Sequence, residues 1–206
     1  MRRKTIIAAL GAAALAAAAW AQFPSTPVTP PMPAAEAAKR TAWDFDLVAI
    51  DGEPLPMKQF RGKVVMLVNT ASFCGFTPQY DGLQKMQDSY AARGFTIVGV
   101  PSGDFKGQEY GSNKEIAGFC KSKGVRFPLA EKSEVVGPKA IPIYRWAAAK
   151  LGADQTPKWN FHKYLIGRDG RLITAFGTRT DPTDPTVKSA IEAALKAPAQ
   201  APAAKG

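Results

Sequence analysis

The chain of 206 residues is poor in the side chains that most often hold metals. It has one histidine, His162, and two cysteines, Cys74 and Cys120. A copper-delivery site built from soft ligands needs two close cysteines and a histidine, so that class is set aside. A C-x-x-C pair is missing as well. Cys74 is followed by Gly75, Phe76 and Thr77, which removes the second thiol that a disulfide-exchange enzyme uses. Long apolar runs are scarce. The one present, Ile6 to Ala19, is mostly alanine, weak for a span that needs about 20 strongly apolar residues. The net charge is +10, but Lys and Arg are spread along the chain between acids. Nucleic-acid binding would want a clustered stripe, and no such partner is expected. There is no internal repeat, and nothing implies a metal or an organic cofactor.

What is present begins with the ends. Residues 1–21 read as a secretory signal: Arg2, Arg3 and Lys4 precede the apolar run, and Ala19-Trp20-Ala21 fits a small-x-small cleavage site before Gln22. Cleavage removes those three cations and lowers the net charge from +10 to +7. The form of the signal points to a periplasmic destination, with no stable membrane insertion after cleavage. Residues 22–39 are rich in Pro and Ala without periodicity and read as a spacer; residues 197–206 read as a disordered tail. That leaves residues 40–196 for one domain with a single buried core.

Within that domain Ala42 to Ile50 alternates, Asp51-Gly52 follows, and Leu55 to Phe60 returns, which predicts an N-terminal β-hairpin. Val64 to Val68 is a continuous apolar run, the mark of a buried strand. Thr77-Pro78 then opens a helix, with Thr77 as N-cap, and Tyr80, Leu83, Met86 and Tyr90 on one face, ended by Gly94. Phe95 to Val100 is a second buried strand, so a right-handed parallel crossover is expected. Ser112 and Glu115 form a capping box for a helix that carries Ile116, Phe119 and Cys120 on its apolar face and stops at Gly124. Ile141 to Leu151 reads as helix. Tyr164–Ile166 and Leu172–Phe176 flank Asp169-Gly170 as a second hairpin. Asp184-Pro185 caps a last helix with Val187, Ile191 and Leu195 inward. The order fits an α/β fold of the thioredoxin-like outline, a small mixed central sheet flanked by helices.

Chemistry centres on the cysteines. An exported chain with two of them first suggests a structural disulfide. Cys74, however, follows a buried strand at the mouth of a helix, among Ser72, Gly75 and Thr77. There, backbone N–H groups and the helix dipole favour a thiolate, the nucleophilic form. Cys120 faces inward beside Ile116 and Phe119. It is either a core cysteine or a resolving thiol that condenses with an oxidised Cys74. The single histidine, His162, reads as a surface or packing residue.

Three segments carry a resemblance. The run Gly62-Lys63-Val64-Val65-Met66-Leu67-Val68-Asn69-Thr70-Ala71-Ser72-Phe73-Cys74-Gly75-Phe76-Thr77, the stretch Phe105-Lys106-Gly107-Gln108-Glu109-Tyr110-Gly111-Ser112-Asn113-Lys114-Glu115-Ile116, and the run Lys158-Trp159-Asn160-Phe161-His162-Lys163-Tyr164-Leu165-Ile166 together resemble the glutathione peroxidase family, in family order, over roughly residues 40–195. The resemblance implies a peroxidatic Cys74 within a catalytic set of Cys74, Gln108, Trp159 and Asn160. Amide and indole N–H groups suit that set: they can donate to a thiolate and to the oxygen that leaves when an O–O bond breaks. Cys120 lies where thioredoxin-using members keep a resolving cysteine. Ser102-Gly103-Asp104-Phe105 departs from the family's usual Cys-Asn-Gln-Phe. Tetrameric glutathione-using members of the family carry a longer segment than this chain has between Val136 and Trp159, so the resemblance implies a monomer and a poor glutathione site.

The function so implied is a thiol-dependent peroxidase of the oxidative stress response. It would reduce hydrogen peroxide and organic hydroperoxides, and a thioredoxin-like dithiol protein, or glutathione, would restore it. The alternatives are a thiol-disulfide oxidoreductase and a non-enzymatic binding module of the same fold.

Overall fold

A computed structural model describes residues 28–198. The expected secretory signal, the first part of the expected spacer and most of the expected tail lie outside the described residues. Two short strands come first, β1 (Asp46–Val48) and β2 (Pro54–Pro56), antiparallel with Leu47 opposite Leu55. The main sheet has four strands, β3 (Val64–Thr70), β4 (Phe95–Pro101), β5 (Lys163–Ile166) and β6 (Leu172–Phe176), in the order β4-β3-β5-β6. β3 runs parallel to β4 and antiparallel to β5, and β5 is antiparallel to β6. The sheet is therefore mixed.

Every residue of β3 and β4 is buried, in keeping with their largely apolar sequence. Alternation along β3 feeds two cores. Val65 and Leu67 join one with the hairpin residues Trp43, Phe45, Leu47, Leu55, Met57 and Phe60 and with helix α4 (Pro142–Leu151). Val64, Met66 and Val68 join the other, with helices α2 (Gln79–Tyr90), α3 (Asn113–Ser122) and α5 (Pro185–Lys196). The molecule is a three-layer α/β/α arrangement. Cys74 and Cys120 both belong to the second core, and Trp159 packs against both cores. Among the described residues no helix is long and apolar enough to cross a membrane.

The predicted helix boundaries hold where side chains cap them. Ser112 accepts from Glu115 N–H while the Glu115 carboxylate accepts from Ser112 N–H, an arrangement worth about 1 kcal/mol. Asp184 accepts from Thr186 N–H at the start of α5. Gly94 and Gly170 take the left-handed conformation at φ +93 and +79. Three expectations need correction. Thr77 does not cap α2: the helix starts two residues later, at Gln79, without a side-chain cap, because the Thr77 hydroxyl is used inside the preceding loop. The hairpin strands are shorter than the alternation suggested. Ala42–Asp44 and Met57–Phe60 are 3-10 turns, since Pro56 cannot continue a ladder and Met57 and Phe60, three apart, both turn into the core. Finally, the stretch read as spacer is folded in its second half. Helix α1 (Ala34–Lys39) buries Ala37, Met32 N–H donates to Arg145 O at 3.0 Å, and Gly137 N–H donates to Thr29 Oγ1 at 3.1 Å. Its few apolar residues find α4, a tertiary contact that composition does not reveal.

Candidate active site

The loop that carries Cys74 leaves the C-terminal end of β3 and is closed by its own threonine. The Thr77 hydroxyl accepts from Cys74 N–H at 3.0 Å and donates to Ala71 O at 3.0 Å. Thr77 N–H returns to Cys74 O at 2.9 Å. This turn ties both the N–H and the carbonyl of Cys74 to Thr77 while leaving Phe73 and Gly75 exposed on either side. Cys74 as a residue is 7% exposed. Phe76 N–H donates to Cys74 Sγ at 3.4 Å, so a backbone donor faces the sulfur as expected at a helix mouth.

The second segment reaches this loop through its backbone. Phe73 N–H donates to Gln108 O at 3.0 Å, and the rings of Phe73 and Tyr110 lie 4.4 Å apart. The third segment meets the second through side chains: Asn160 Nδ2 donates to Gln108 Oε1 at 3.0 Å. Asn160 is fully buried and its Oδ1 has no partner among the described residues. The Trp159 and Phe105 rings pack tilted, 5.7 Å apart, and Lys106, whose φ is +59, sits over the Trp159 indole at 5.6 Å. The structure therefore brings Gln108 beside the Cys74 loop and Asn160 onto Gln108, with Trp159 packed into the Cys74 core. Among the described residues the hydrogen bond on Sγ is the one from Phe76; the amides of Gln108 and Asn160 engage each other instead.

Cys120 is 1% exposed on α3, and its S–H donates to Tyr80 Oη at 3.5 Å. Both cysteines are free. Burial pushes the Cys120 thiol up to about 11, against the lowering effect of the Tyr80 hydroxyl and with a further push from the carboxylate of Glu109. Glu109 is buried, which raises its own carboxyl. His162 is 5% exposed, edge-on to Tyr164 at 4.7 Å. It is a packing residue rather than a surface one, and burial together with the Lys163 charge lowers it to about 4. The departure at Asp104 has a structural use: its Oδ2 accepts from Val135 N–H and Val136 N–H at 2.6 and 3.0 Å, tying down the loop before α4.

Sequence reasoning missed two buried polar anchors behind the third segment. Asn69, at the end of β3, donates through Nδ2 to Trp159 O at 3.1 Å and accepts at Oδ1 from His162 N–H at 3.1 Å. Lys163 is fully buried, and its Nζ donates to Phe161 O at 2.7 Å and Thr180 O at 2.9 Å. Burial lowers Lys163 to about 7, against the pull of Asp181. A lysine and an asparagine inside otherwise apolar strands were the available signal.

The chain is similar to several known proteins. The family model for glutathione peroxidase matches residues 42–148. The hydroperoxy fatty acid reductase gpx1 of Synechocystis sp. is 42% identical over 156 residues, 71% of this chain and 92% of that protein. The glutathione peroxidase-like peroxiredoxin gpx1 of Schizosaccharomyces pombe is 45% identical over 136 residues, 64% of this chain and 85% of that protein. Among solved structures, the apo crystal structure of Trgpx superposes with a TM-score of 0.64 at 32% identity, over 78% of this chain and 98% of that one. A DsbE-type protein of Chlorobium tepidum superposes with a TM-score of 0.56 at 22% identity, over 75% of this chain and 95% of that one, a likeness of fold.

Proposed function

The chain belongs to the glutathione peroxidase family and is a thiol-dependent peroxidase, and from that premise we propose which residues perform the reaction. Cys74 is the peroxidatic residue. Its thiolate attacks one peroxide oxygen, the O–O bond breaks, and the departing oxygen leaves as water or an alcohol after taking up a proton. Cys74 is left as a sulfenic acid. Gln108, Trp159 and Asn160 supply N–H donors to the thiolate and to the departing oxygen. The Cys120 thiol then attacks the sulfenic sulfur, a disulfide forms and water leaves. An external dithiol protein of the thioredoxin type reduces that disulfide through a mixed disulfide; glutathione is the weaker candidate, because the chain before Trp159 is short.

The observation that carries this reading is the junction of the three segments. Gln108 is bonded to the Cys74 loop on one side and to the Asn160 amide on the other. Fatty acid hydroperoxides are included among the substrates, by analogy with the Synechocystis relative's name. The exported, periplasmic address rests on residues 1–21, and the monomeric state on the short segment before Trp159.

The test is stopped-flow oxidation of the reduced protein by one equivalent of hydrogen peroxide, beside Cys74→Ser and Cys120→Ser. Two thiols vanish rapidly in the wild type, peroxide consumption is lost in Cys74→Ser, and Cys120→Ser traps a sulfenic acid. Oxidation at the rate of a free thiol in all three proteins would leave the binding-module reading. Turnover with a thioredoxin system and not with glutathione supports the proposed reductant, and the reverse result overturns it.

A further inference from the structure

The turn that presents Trp159 and Asn160 is held by side chains from outside it. Its three consecutive carbonyls each accept from a different donor: Trp159 O from Asn69 Nδ2 at 3.1 Å, Asn160 O from the Thr178 hydroxyl at 2.8 Å, and Phe161 O from Lys163 Nζ at 2.7 Å. Phe161 has φ +62, a left-handed conformation that a bulky residue adopts only when its surroundings impose it. Its N–H is fixed on Asn69 O at 2.6 Å, and its ring is buried edge-on to Tyr80 at 5.4 Å. Lys163 binds a second carbonyl, Thr180 O, at 2.9 Å. It thus joins the turn to the loop after β6. That same loop reaches the Cys74 side of the molecule, because Gln79 Nε2 at the start of α2 donates to Thr178 O at 2.7 Å.

A fully buried lysine is costly, and an apolar residue in β5 would avoid the cost. The neighbouring strand residues Tyr164, Leu165 and Ile166 are apolar or aromatic and equally buried. What the lysine alone supplies is a donor on a long stem that reaches two carbonyls in separate loops. Resting on the peroxidase reading above, we propose that Lys163 is a positioning residue for the peroxidase reaction: by clamping Phe161 O and Thr180 O it holds the left-handed turn that aims the Trp159 and Asn160 donors at the oxygen leaving Cys74. The clamp depends on N–H groups rather than on charge. A neutral amine keeps two N–H groups, enough for both carbonyls.

The role separates from simple stabilisation by comparing two electrophiles at Cys74. Iodoacetamide needs a thiolate but no donor for a departing peroxide oxygen; hydrogen peroxide needs both. Lys163→Met keeps the length and removes the donor. In the folded variant, the second-order rate constant of Cys74 with hydrogen peroxide is expected to fall by about 10- to 100-fold, the scale of a misplaced or lost donor. Taken at the high-pH plateau, where Cys74 is fully thiolate in both proteins, the iodoacetamide rate constant stays within about twofold of wild type. Lys163→Gln, which retains an amide donor on a shorter stem, falls between wild type and Lys163→Met, and it decides the matter alone if Lys163→Met does not fold. An unchanged ratio of the two rate constants in either folded variant, or equal loss in both reactions, overturns the positioning role. Slow reaction of wild-type Cys74 with peroxide would instead overturn the peroxidase reading itself.

Discussion

If α3 shields Cys120 as the structure describes, the two cysteines of the reduced protein differ sharply in their chemistry toward a small alkylating agent. Burial raises the Cys120 thiol from 9.0 to about 11, so at neutral pH it holds about 100-fold less thiolate than an ordinary cysteine. A more basic thiolate is a better nucleophile, with a Brønsted slope of about 0.4–0.5, which recovers about 8-fold. Protonation alone therefore slows Cys120 by roughly tenfold. Steric closure adds to this, since the side chain is 1% exposed and bonded to Tyr80; the reagent must wait for α3 to open. The assay is a time course of iodoacetamide labelling on reduced protein, native and urea-unfolded, with each cysteine quantified by mass spectrometry. Native Cys120 should label at least about tenfold more slowly than the same residue in the unfolded chain. Labelling at the unfolded rate would refute the argument, because it would mean that α3 is already open before peroxide arrives. The same barrier makes disulfide formation slower than oxidation of Cys74, so the sulfenic acid accumulates transiently in wild type at high peroxide.

Two further predictions concern stability. His162 is held neutral in the fold, lowered from 6.5 to about 4. Between those pH values the unfolded chain takes up a proton that the folded chain refuses, so stability present above pH 6.5 is lost as pH falls toward 4, by about 3 kcal/mol. Chemical denaturation across that window should show the loss in wild type and a flatter curve in His162→Gln; a constant difference between the two proteins would be inconsistent with this account. Gly170 sits at φ +79 with the Trp43 indole nitrogen 2.5 Å from where a Cβ would stand. Gly170→Ala should cost about 3 kcal/mol from left-handed strain plus overpacking, lowering Tm by about 10 °C; an unchanged Tm in thermal unfolding would show that Trp43 yields freely.

Residues near one another in sequence were largely legible without a structure. The apolar runs at Val64–Val68 and Phe95–Val100 carry the mark of buried strands, and the Ser112–Glu115 and Asp184 caps and the Asp169-Gly170 turn mark boundaries by local hydrogen bonding and φ preference, which short segments encode by themselves. The family likeness led to the expectation that Cys74, Gln108, Trp159 and Asn160 share one site. Only the tertiary structure decided the rest. Thr77 could cap a helix or close a loop, and its hydroxyl chose Ala71 O and Cys74 N–H because the chain folds back there. Met32 and Ala37 looked like spacer until α4 offered them a surface. Lys163 looked like an ordinary basic residue in a motif, and its use appears only when Phe161 and Thr180, from different loops, arrive at its ammonium group. Sequence by itself determined most of the main strands and helices, since those depend on neighbours a few residues apart. Tertiary structure decided which polar groups meet, since that depends on where the loops between those elements converge.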